Sequence, residues 1–411
     1  MSRAQRRAAI GRALLTLNAI KPSGAGTPLA IPSFFAGWVT TELAPQSFLV
    51  TAAATARGLL SPRSKRDGVA LALNLTTLAG LGALIHRSAQ SSTIVDSALR
   101  TEFPGIPESE AEMRKDMVLR HAAPFRFAHP QVEVVREIQY AGSGARQRLD
   151  ILRPKGSVVG APVLLHIHGG GWVIGRKEEQ GLPLMNYLAS RGWVCVTANY
   201  RLSPKATWPD HLIDAKSALI WTKRHIAEYG GDPSFIAVTG GSAGGHLASL
   251  VALTANDPRY QPGFEGVDTS VQACVPHYAV YDMADSLKSK GGVRQRDNFL
   301  GPTVFKTKYA QNPAPFHDAS PLDQVRADAP PFLVIHGTHD SLASVTEARV
   351  FVERLRAVSK SAVCYIELPG TQHAFDVFHS VTSANVVKGV ERFLAYTLAE
   401  HARAPEGSLR V

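Results

Sequence analysis

The stretch FIAVTGGSAGGHLASLVAL, residues 235–253, decides the fold of this chain. Its first six residues form an apolar run typical of a buried strand, and its last nine are typical of a helix. Glycines surround Ser242 between the two, so the chain can turn sharply there and expose the hydroxyl group. The pattern is the G-x-S-x-G arrangement of a nucleophile, although an incidental serine in a glycine-rich turn has the same pattern.

Strands and helices alternate on both sides of this turn. Apolar or alternating runs predict eight strands, at 132–140, 147–153, 162–168, 193–200, 235–240, 273–280, 332–337 and 362–369. Helical patterns lie between them, at 183–191, 212–229, 245–255, 344–358 and 386–401. This alternation predicts an α/β fold with a mostly parallel eight-stranded sheet, opened by a hairpin and covered by helices on both faces.

A run of glycines follows the strand at 162–168, in the sequence His168-Gly169-Gly170-Gly171-Trp172. We call the segment that begins at Gly169 the glycine loop. Consecutive glycines let backbone N–H groups converge on one point, which is what stabilising a tetrahedral oxyanion requires. We therefore predict an oxyanion hole made by the N–H groups of Gly170, Gly171 and Ala243. A dinucleotide or phosphate loop is excluded, because neither G-x-G-x-x-G nor G-x-x-x-x-G-K-[ST] can be written here.

An acidic residue and a histidine follow the last two predicted strands. Asp340 comes after the strand at 332–337, and His373 comes after the strand at 362–369. The chain order Ser242, Asp340, His373 is the order of an α/β-hydrolase triad. On this prediction His373 accepts the proton of the serine, while Asp340 fixes the histidine tautomer and stabilises the imidazolium.

Five motifs together carry a resemblance to a known family. They are HGGGW (168–172), YRLSP (200–204), GGSAGGH (240–246), HGTHD (336–340) and GTQHAF (370–375). Over about residues 130–400 the chain resembles the hormone-sensitive-lipase-like esterases, especially the carboxylesterases of mycobacteria and other actinobacteria. The resemblance implies hydrolysis of short to medium acyl esters through an acyl-enzyme, without a cofactor. The chain departs from the family pattern at Gly241, because members of this family often carry an acidic residue just before the serine.

The same motifs suggest which residues meet a small ester substrate. We predict that His168, Gly169 and Trp172 contribute to substrate binding, with His168 also orienting the glycine loop through hydrogen bonding. His166 and His168 share a strand face, but no third ligand lies nearby in the sequence. His336, His339 and Asp340 form a second cluster, but no H-E-x-x-H pattern supports a metal there. We therefore predict no metal.

Two other functions use the same motifs. An amidase, formamidase or peptidase would share the site, because fold and triad do not determine the scissile bond. A catalytically silent binding protein on a hydrolase fold is a second alternative, although such proteins usually lose a triad residue and this chain keeps all three. The three cysteines have no pairing or zinc spacing, which excludes a disulfide scaffold.

The charge of the chain is concentrated at its N-terminus. The formal net charge is +10, and residues 1–66 hold nine basic residues against one acid. Because this excess flanks apolar sequence rather than spreading over the whole fold, it points to a membrane surface and not to nucleic acid. We predict membrane contact through residues 22–86, where Phe34, Phe35 and Trp38 suit a membrane interface.

Residues 68–85 form an uncharged run of eighteen residues, long enough for one spanning helix. A single crossing there would keep both basic clusters inside and place the catalytic part outside the cytoplasm. Without membrane contact these would be core or lid helices of a soluble protein, and the protein would be cytoplasmic. We therefore predict an N-terminal helical arm and linker over 1–130, and a catalytic domain over 131–405 with a cap insertion at about 283–330.

Overall fold

The computed structural model of the protein describes residues 3–23, 27–62, 67–108, 120–289 and 291–403. Eight strands form one sheet: β1 (Val132–Gln139), β2 (Arg148–Pro154), β3 (Ala161–Ile167), β4 (Val194–Ala198), β5 (Gly231–Gly241), β6 (Ala273–His277), β7 (Phe332–Gly337) and β8 (Val363–Leu368). Their order in the sheet is β1-β2-β4-β3-β5-β6-β7-β8. Only β2 runs against its neighbours, so the predicted opening hairpin and mostly parallel sheet are confirmed.

Helices cover both faces of the sheet. The helices are α1 (Arg3–Ile20), α2 (Ala30–Glu42), α3 (Ala44–Leu60), α4 (Gly68–Glu102), α5 (Leu182–Ala189), α6 (Asp210–His225), α7 (Ala243–Leu253), α8 (Gly292–Gln295), α9 (Ala314–Asp318), α10 (Val345–Val358) and α11 (Val381–Arg403). One apolar core lies between the sheet and α6, α7 and α10, and a second lies between the sheet and α4, α5 and α11. These two layers confirm the predicted α/β architecture.

The strand register brings the predicted motifs to one edge of the sheet. Ile167 at the end of β3 pairs with Gly240 of β5, so the glycine loop and the Ser242 turn leave the sheet side by side. At the other end of the site, Gly337 of β7 pairs with Leu368 of β8. The loops that carry Asp340 and His373 are therefore neighbours as well.

The described residues of the arm predicted over 1–130 include helices α1 to α4, and α4 enters the catalytic body. The uncharged run at 68–85 is the first half of α4, a helix of 35 residues. In its second half, Val95 and Leu99 are buried in the core that α11 covers. Of the described residues, only this helix is long and apolar enough to cross a membrane by length and composition. Its predicted apolar half packs against α1 and α3.

Helix α2 is fastened to the catalytic body at its C-terminal end. Glu42 is buried, and its Oε2 accepts a hydrogen bond of 2.6 Å from the hydroxyl of Ser380. Burial raises the pKa of the Glu42 carboxyl to about 8, and the nearby charge of Asp376 adds to this shift. The contact joins residues more than 300 positions apart, so it holds the arm over the body.

The raised pKa of Glu42 predicts how stability changes with pH. Between about pH 4.5 and 8 the unfolded chain releases this proton and the folded chain keeps it, so the free energy of unfolding falls as pH rises. Glu42→Gln cannot ionise. Measured by urea unfolding, its stability relative to the wild type should rise from pH 5 to pH 8 by more than about 1 kcal/mol.

The exposed Glu353 on α10 provides the matched control, and Glu353→Gln should follow the wild type at both pH values. Glu347 is also buried, and burial raises its pKa to about 8, so the wild-type decline should persist in part in Glu42→Gln. Equal pH dependence of Glu42→Gln and the wild type would contradict the buried, protonated state of Glu42.

Candidate active site

Ser242 occupies a tight turn between β5 and α7. Its backbone has φ 57° and ψ −124°, a conformation that is costly for a residue with a side chain. The turn is held because the Ser242 N–H donates a hydrogen bond of 2.9 Å to the carbonyl of His277. A Cβ on Gly244 would lie 2.0 Å from the carbonyl oxygen of Ile167, so only glycine permits this approach of α7 to β3.

Asp340 and His373 are hydrogen-bonded to each other. The Nδ1 of His373 lies 2.6 Å from Oδ2 of Asp340, which leaves Nε2 as the nitrogen available to another group. The other oxygen of Asp340 accepts the N–H groups of Leu342 and Ala343, each at 2.8 Å. Burial alone would raise the pKa of Asp340, but His373 and His336 outweigh burial and hold that pKa well below its usual range. The carboxylate therefore stays ionised beside the histidine.

The glycine loop lies against the Ser242 turn. A Cβ on Gly169 would lie 3.2 Å from Cβ of Ser242, so the two segments touch. Gly170 has φ +118°, and a side chain there would meet the carbonyl oxygen of Ile174 at 2.2 Å. Ala243 is the first residue of α7, where backbone N–H groups have no partner within the helix. The three predicted donors, from Gly170, Gly171 and Ala243, are thus near Ser242.

The three residues predicted at the substrate differ in position. Trp172 lines the cavity beside Ser242, and its indole N–H donates to Nδ1 of His246 at 3.3 Å. His168 and Gly169, at the start of the loop, are buried and are absent from the cavity wall. Burial lowers the pKa of His168 to about 3, and its neutral ring stacks on Tyr200 at 4.4 Å between centroids. The Nδ1 of His168 lies 2.7 Å from the carbonyl oxygen of Gly169, at the start of the loop.

A cavity of about 850 Å³ contains the candidate site. Ser242, Asp340, His373, Gly170 and Gly171 all line it. Its apolar wall comes from the arm, the glycine loop, the predicted cap insertion and the segments after β6, β7 and β8: Ile31, Phe34, Phe35, Trp38, Ile174, Val280, Phe299, Leu342, Val345 and Val377. Such a space suits an apolar substrate of moderate size.

Helix α2 is a part of the site that sequence reasoning missed. Phe34 is buried and meets the His373 ring edge-on, with 5.8 Å between ring centroids. We predicted Phe34, Phe35 and Trp38 at a membrane interface, but all three line the cavity. Their wide separation from the triad in the chain gave no signal of this contact. Phe35 also remains more than half exposed, so it reaches both the cavity and the outer surface.

Gln372 is a second residue that the motifs did not single out. Its side-chain oxygen accepts the N–H of Ser341 at 2.8 Å and the N–H of His373 at 2.9 Å. One buried amide thus ties the Asp340 loop to the His373 loop. Its place beside the histidine in the GTQHAF motif was the only available signal.

Tyr278 and Asp376 form a hydrogen-bonded pair beside the His373 ring. The Tyr278 ring lies 4.6 Å from the His373 ring between centroids, and its hydroxyl donates to Asp376. Asp376 also lies 2.7 Å from Nδ1 of His277. A Cβ on Gly241 would lie 2.5 Å from the Tyr278 hydroxyl, so the tyrosine fills the space beside this glycine.

Among the described residues, one cluster of three carboxylates has the spacing of a metal site: Glu137, Asp150 and Glu178. The ammonium group of Lys177 lies among them, 2.9 Å from Asp150, and supplies the positive charge. His166, considered above as a ligand with His168, has its Nδ1 3.1 Å from the Thr197 hydroxyl. These groups therefore have partners within the protein.

Comparisons with known proteins identify esterases among the relatives of this chain. The model of the BD-FAE family matches residues 149–355. The chain is 44% identical to the probable carboxylic ester hydrolase LipM of Mycobacterium tuberculosis, covering 96% of this chain and 94% of that protein. It is 39% identical to esterase LipQ of the same organism, covering 93% of this chain and 89% of LipQ.

Solved structures agree on the fold. Esterase B from Lactobacillus Rhamnosis (HN001) aligns with a TM-score of 0.59 at 22% identity, covering 77% of this chain and 99% of that one. The family match covers half of the chain, and the two mycobacterial relatives align along nearly all of it. The chain therefore belongs to the BD-FAE family, and it is a hormone-sensitive-lipase-like α/β-hydrolase that hydrolyses carboxylic esters.

Proposed function

We propose that Ser242, His373 and Asp340 are the catalytic triad of this esterase. The observation that carries the proposal is the 2.6 Å hydrogen bond between His373 and Asp340, in a cavity that Ser242 also lines. Because Nδ1 of His373 is engaged, Nε2 is the nitrogen that accepts the serine proton. The ionised Asp340 then stabilises the imidazolium that forms.

The reaction proceeds in two halves. The Ser242 oxygen attacks the ester carbonyl while His373 takes its proton, and the tetrahedral intermediate collapses as His373 returns that proton to the leaving alcohol. Water then attacks the acyl-enzyme with His373 as the base, which releases the acid and restores the serine. Each half passes through an oxyanion.

The N–H groups of Gly170, Gly171 and Ala243 hold that oxyanion. Two features support this assignment: Gly170 and Gly171 line the cavity, and Ala243 begins a helix whose positive dipole end faces the turn. The N–H of Gly169 already donates to the side chain of Gln180 at 2.7 Å, which leaves it outside this set. Each donor is worth about 3 kcal/mol in the transition state.

The substrate is an ester with a short to medium acyl chain, and Trp172 forms part of its binding surface. The apolar wall and the volume of about 850 Å³ favour this size class. For His168 and Gly169 we propose a supporting role, because both are buried and neither lines the cavity. The arm over residues 1–130 acts as a cap, since α2 covers the cavity, and it also contacts a membrane.

Two kinetic comparisons test the activity. Purified protein should hydrolyse p-nitrophenyl butyrate and octanoate with higher kcat/KM than the matched anilides and than the palmitate ester. Preference for the anilide would support the amidase alternative instead.

Ser242→Ala should lower kcat by about 10⁴-fold or more, because no other group supplies the nucleophile. Full activity in that variant would contradict the assignment of Ser242.

The role of Gln372 is tested by removing its acceptor. In Gln372→Met the N–H groups of Ser341 and His373 lose their shared partner, so Asp340 and His373 lose alignment. We expect kcat to fall about tenfold to a hundredfold with little change in KM. The matched control is Gln261→Met, another buried glutamine with an accepting side-chain oxygen, located outside the cavity wall.

Circular dichroism measures the folded fraction and the stability of each variant, and kcat is then compared per folded molecule. Gln261→Met should lose stability but keep the wild-type kcat, because it leaves the two catalytic loops intact. Equal kcat in both variants would show that the Gln372 bridge does not position the triad.

A further inference from the structure

The N-terminal helices α1, α3 and the first half of α4 form a bundle with an unusual distribution of side chains. Its buried positions are mostly small or polar, as with Thr16, Thr51, Thr55, Asn74 and Thr77. A water-soluble bundle buries its large apolar side chains and exposes its polar ones. This bundle does the reverse.

Its outer surface is rich in large apolar side chains. Ten of the twenty exposed large hydrophobic residues among the described residues lie on these three helices, and four more lie on or beside α2. All three helices contribute, with Leu14 on α1, Leu49 on α3 and Leu75 on α4 each more than half exposed. Single exposed leucines are ordinary on proteins, but a concentration of exposed large apolar side chains on three neighbouring helices marks an interaction surface.

The helices touch through small residues and polar contacts. A Cβ on Gly80 of α4 would lie 2.7 Å from the Thr16 side chain of α1, so the two helices approach closely at this glycine. The guanidinium of Arg12 donates to the Asn74 side chain at 2.8 Å, also between α1 and α4. Small residues and buried polar groups are the usual contacts between helices whose exterior faces lipid.

The charges on this bundle are complementary to anionic headgroups. The exposed charged side chains in its described part are basic: Arg3, Arg6, Arg7, Lys21 and Arg57. Two acids lie in the described residues between 3 and 85: Glu42 at the end of α2 is buried, and Asp67 just before α4 is paired with Arg6 at 2.7 Å. An apolar surface bordered by exposed cations fits the boundary of a negatively charged bilayer.

Helix α2 lies at the opening of the active-site cavity. Helix α2 connects α1 to α3, and its residues Ile31 and Phe35 are exposed while they also line the cavity. An ester dissolved in the bilayer would therefore meet the opening of the cavity at the edge of the bundle.

We propose that the exterior of α1, α3 and the first half of α4 is embedded in an anionic lipid bilayer, and that this places the cavity mouth where it takes esters dissolved in the lipid. The proposal rests on the proposed function for the hydrolysis itself. It differs from a single crossing at 68–85, because three helices together meet the lipid.

Deleting the arm would be a poor test, since it removes Phe34 from the site and part of α4 from the core. A variant of the full chain that combines Leu14→Gln, Leu49→Gln and Leu75→Gln changes one exposed residue on each helix, and none of the three lines the cavity. The matched control combines Val134→Gln, Val159→Gln and Val358→Gln on the exposed surface of the catalytic body.

The proteins are mixed with phosphatidylcholine vesicles that contain phosphatidylglycerol and floated on a density gradient. We expect the wild type and the control to float, and the arm variant to bind more than tenfold more weakly. With 1,2-dioctanoylglycerol in the vesicles, its hydrolysis should slow more than tenfold in the arm variant. Hydrolysis of dissolved p-nitrophenyl butyrate should stay within twofold in all three proteins.

That last readout separates this proposal from the proposed function, because loss of activity on the dissolved ester by the wild type would overturn the function alone. Wild-type protein that stays unbound with these vesicles would overturn the lipid proposal. A wild-type dimer that the arm substitutions turn into a monomer, without any vesicle binding, would also overturn it and assign the surface to a second copy of the chain.

Discussion

The structure depends on the close approach of α7 to β3 at the Ser242 turn. The approach exists because Gly244 has no side chain, and it leaves the backbone of Ser242 in a conformation that only surrounding contacts can hold. The carbonyl of His277 supplies one such contact from β6, and the glycine loop after β3 supplies another. Strain at the serine is thus balanced by packing in the centre of the sheet, where every neighbouring strand is buried.

A second constraint comes from the arm, because its helix α2 contacts the catalytic loops and forms part of the cavity wall. Helix α2 meets the Asp340 loop near its start, since the Ser341 hydroxyl lies 3.4 Å from the carbonyl of Ala30. It then passes the His373 ring at Phe34 and ends at the buried contact between Glu42 and Ser380. The same helix therefore fastens the arm, forms part of the cavity wall and reaches the outer surface.

The sheet and the motif positions could be predicted from the sequence because they are local. Each strand is a short apolar run, and each motif follows a strand by a few residues, so parallel order alone brings Ser242, Asp340 and His373 to one edge. The structure brings all three to one cavity, and their chemical roles remain predictions. The burial of Gly169 and His168 away from the cavity wall depends on backbone turns that a row of glycines does not specify.

Contacts between distant segments could not be predicted in this way. In the sequence, Phe34 is an aromatic residue within an apolar stretch. Only the fold of the arm places its ring against His373. The Gln372 bridge needs two loops at once, so no pattern within either loop reveals it. The apolar run at 68–85 has the composition of a spanning helix, but its extension to Glu102 and its packing against the body depend on residues outside the run.

The central claim is that ester hydrolysis occurs at Ser242. Full-length protein treated with a p-nitrophenyl alkylphosphonate, then digested and analysed by mass spectrometry, tests it most directly. The account predicts one phosphonyl group on Ser242, none in Ser242→Ala, and much slower labelling in His373→Ala because the serine proton then has no acceptor. Label on a different residue, or an unlabelled protein that still hydrolyses esters, would contradict the account.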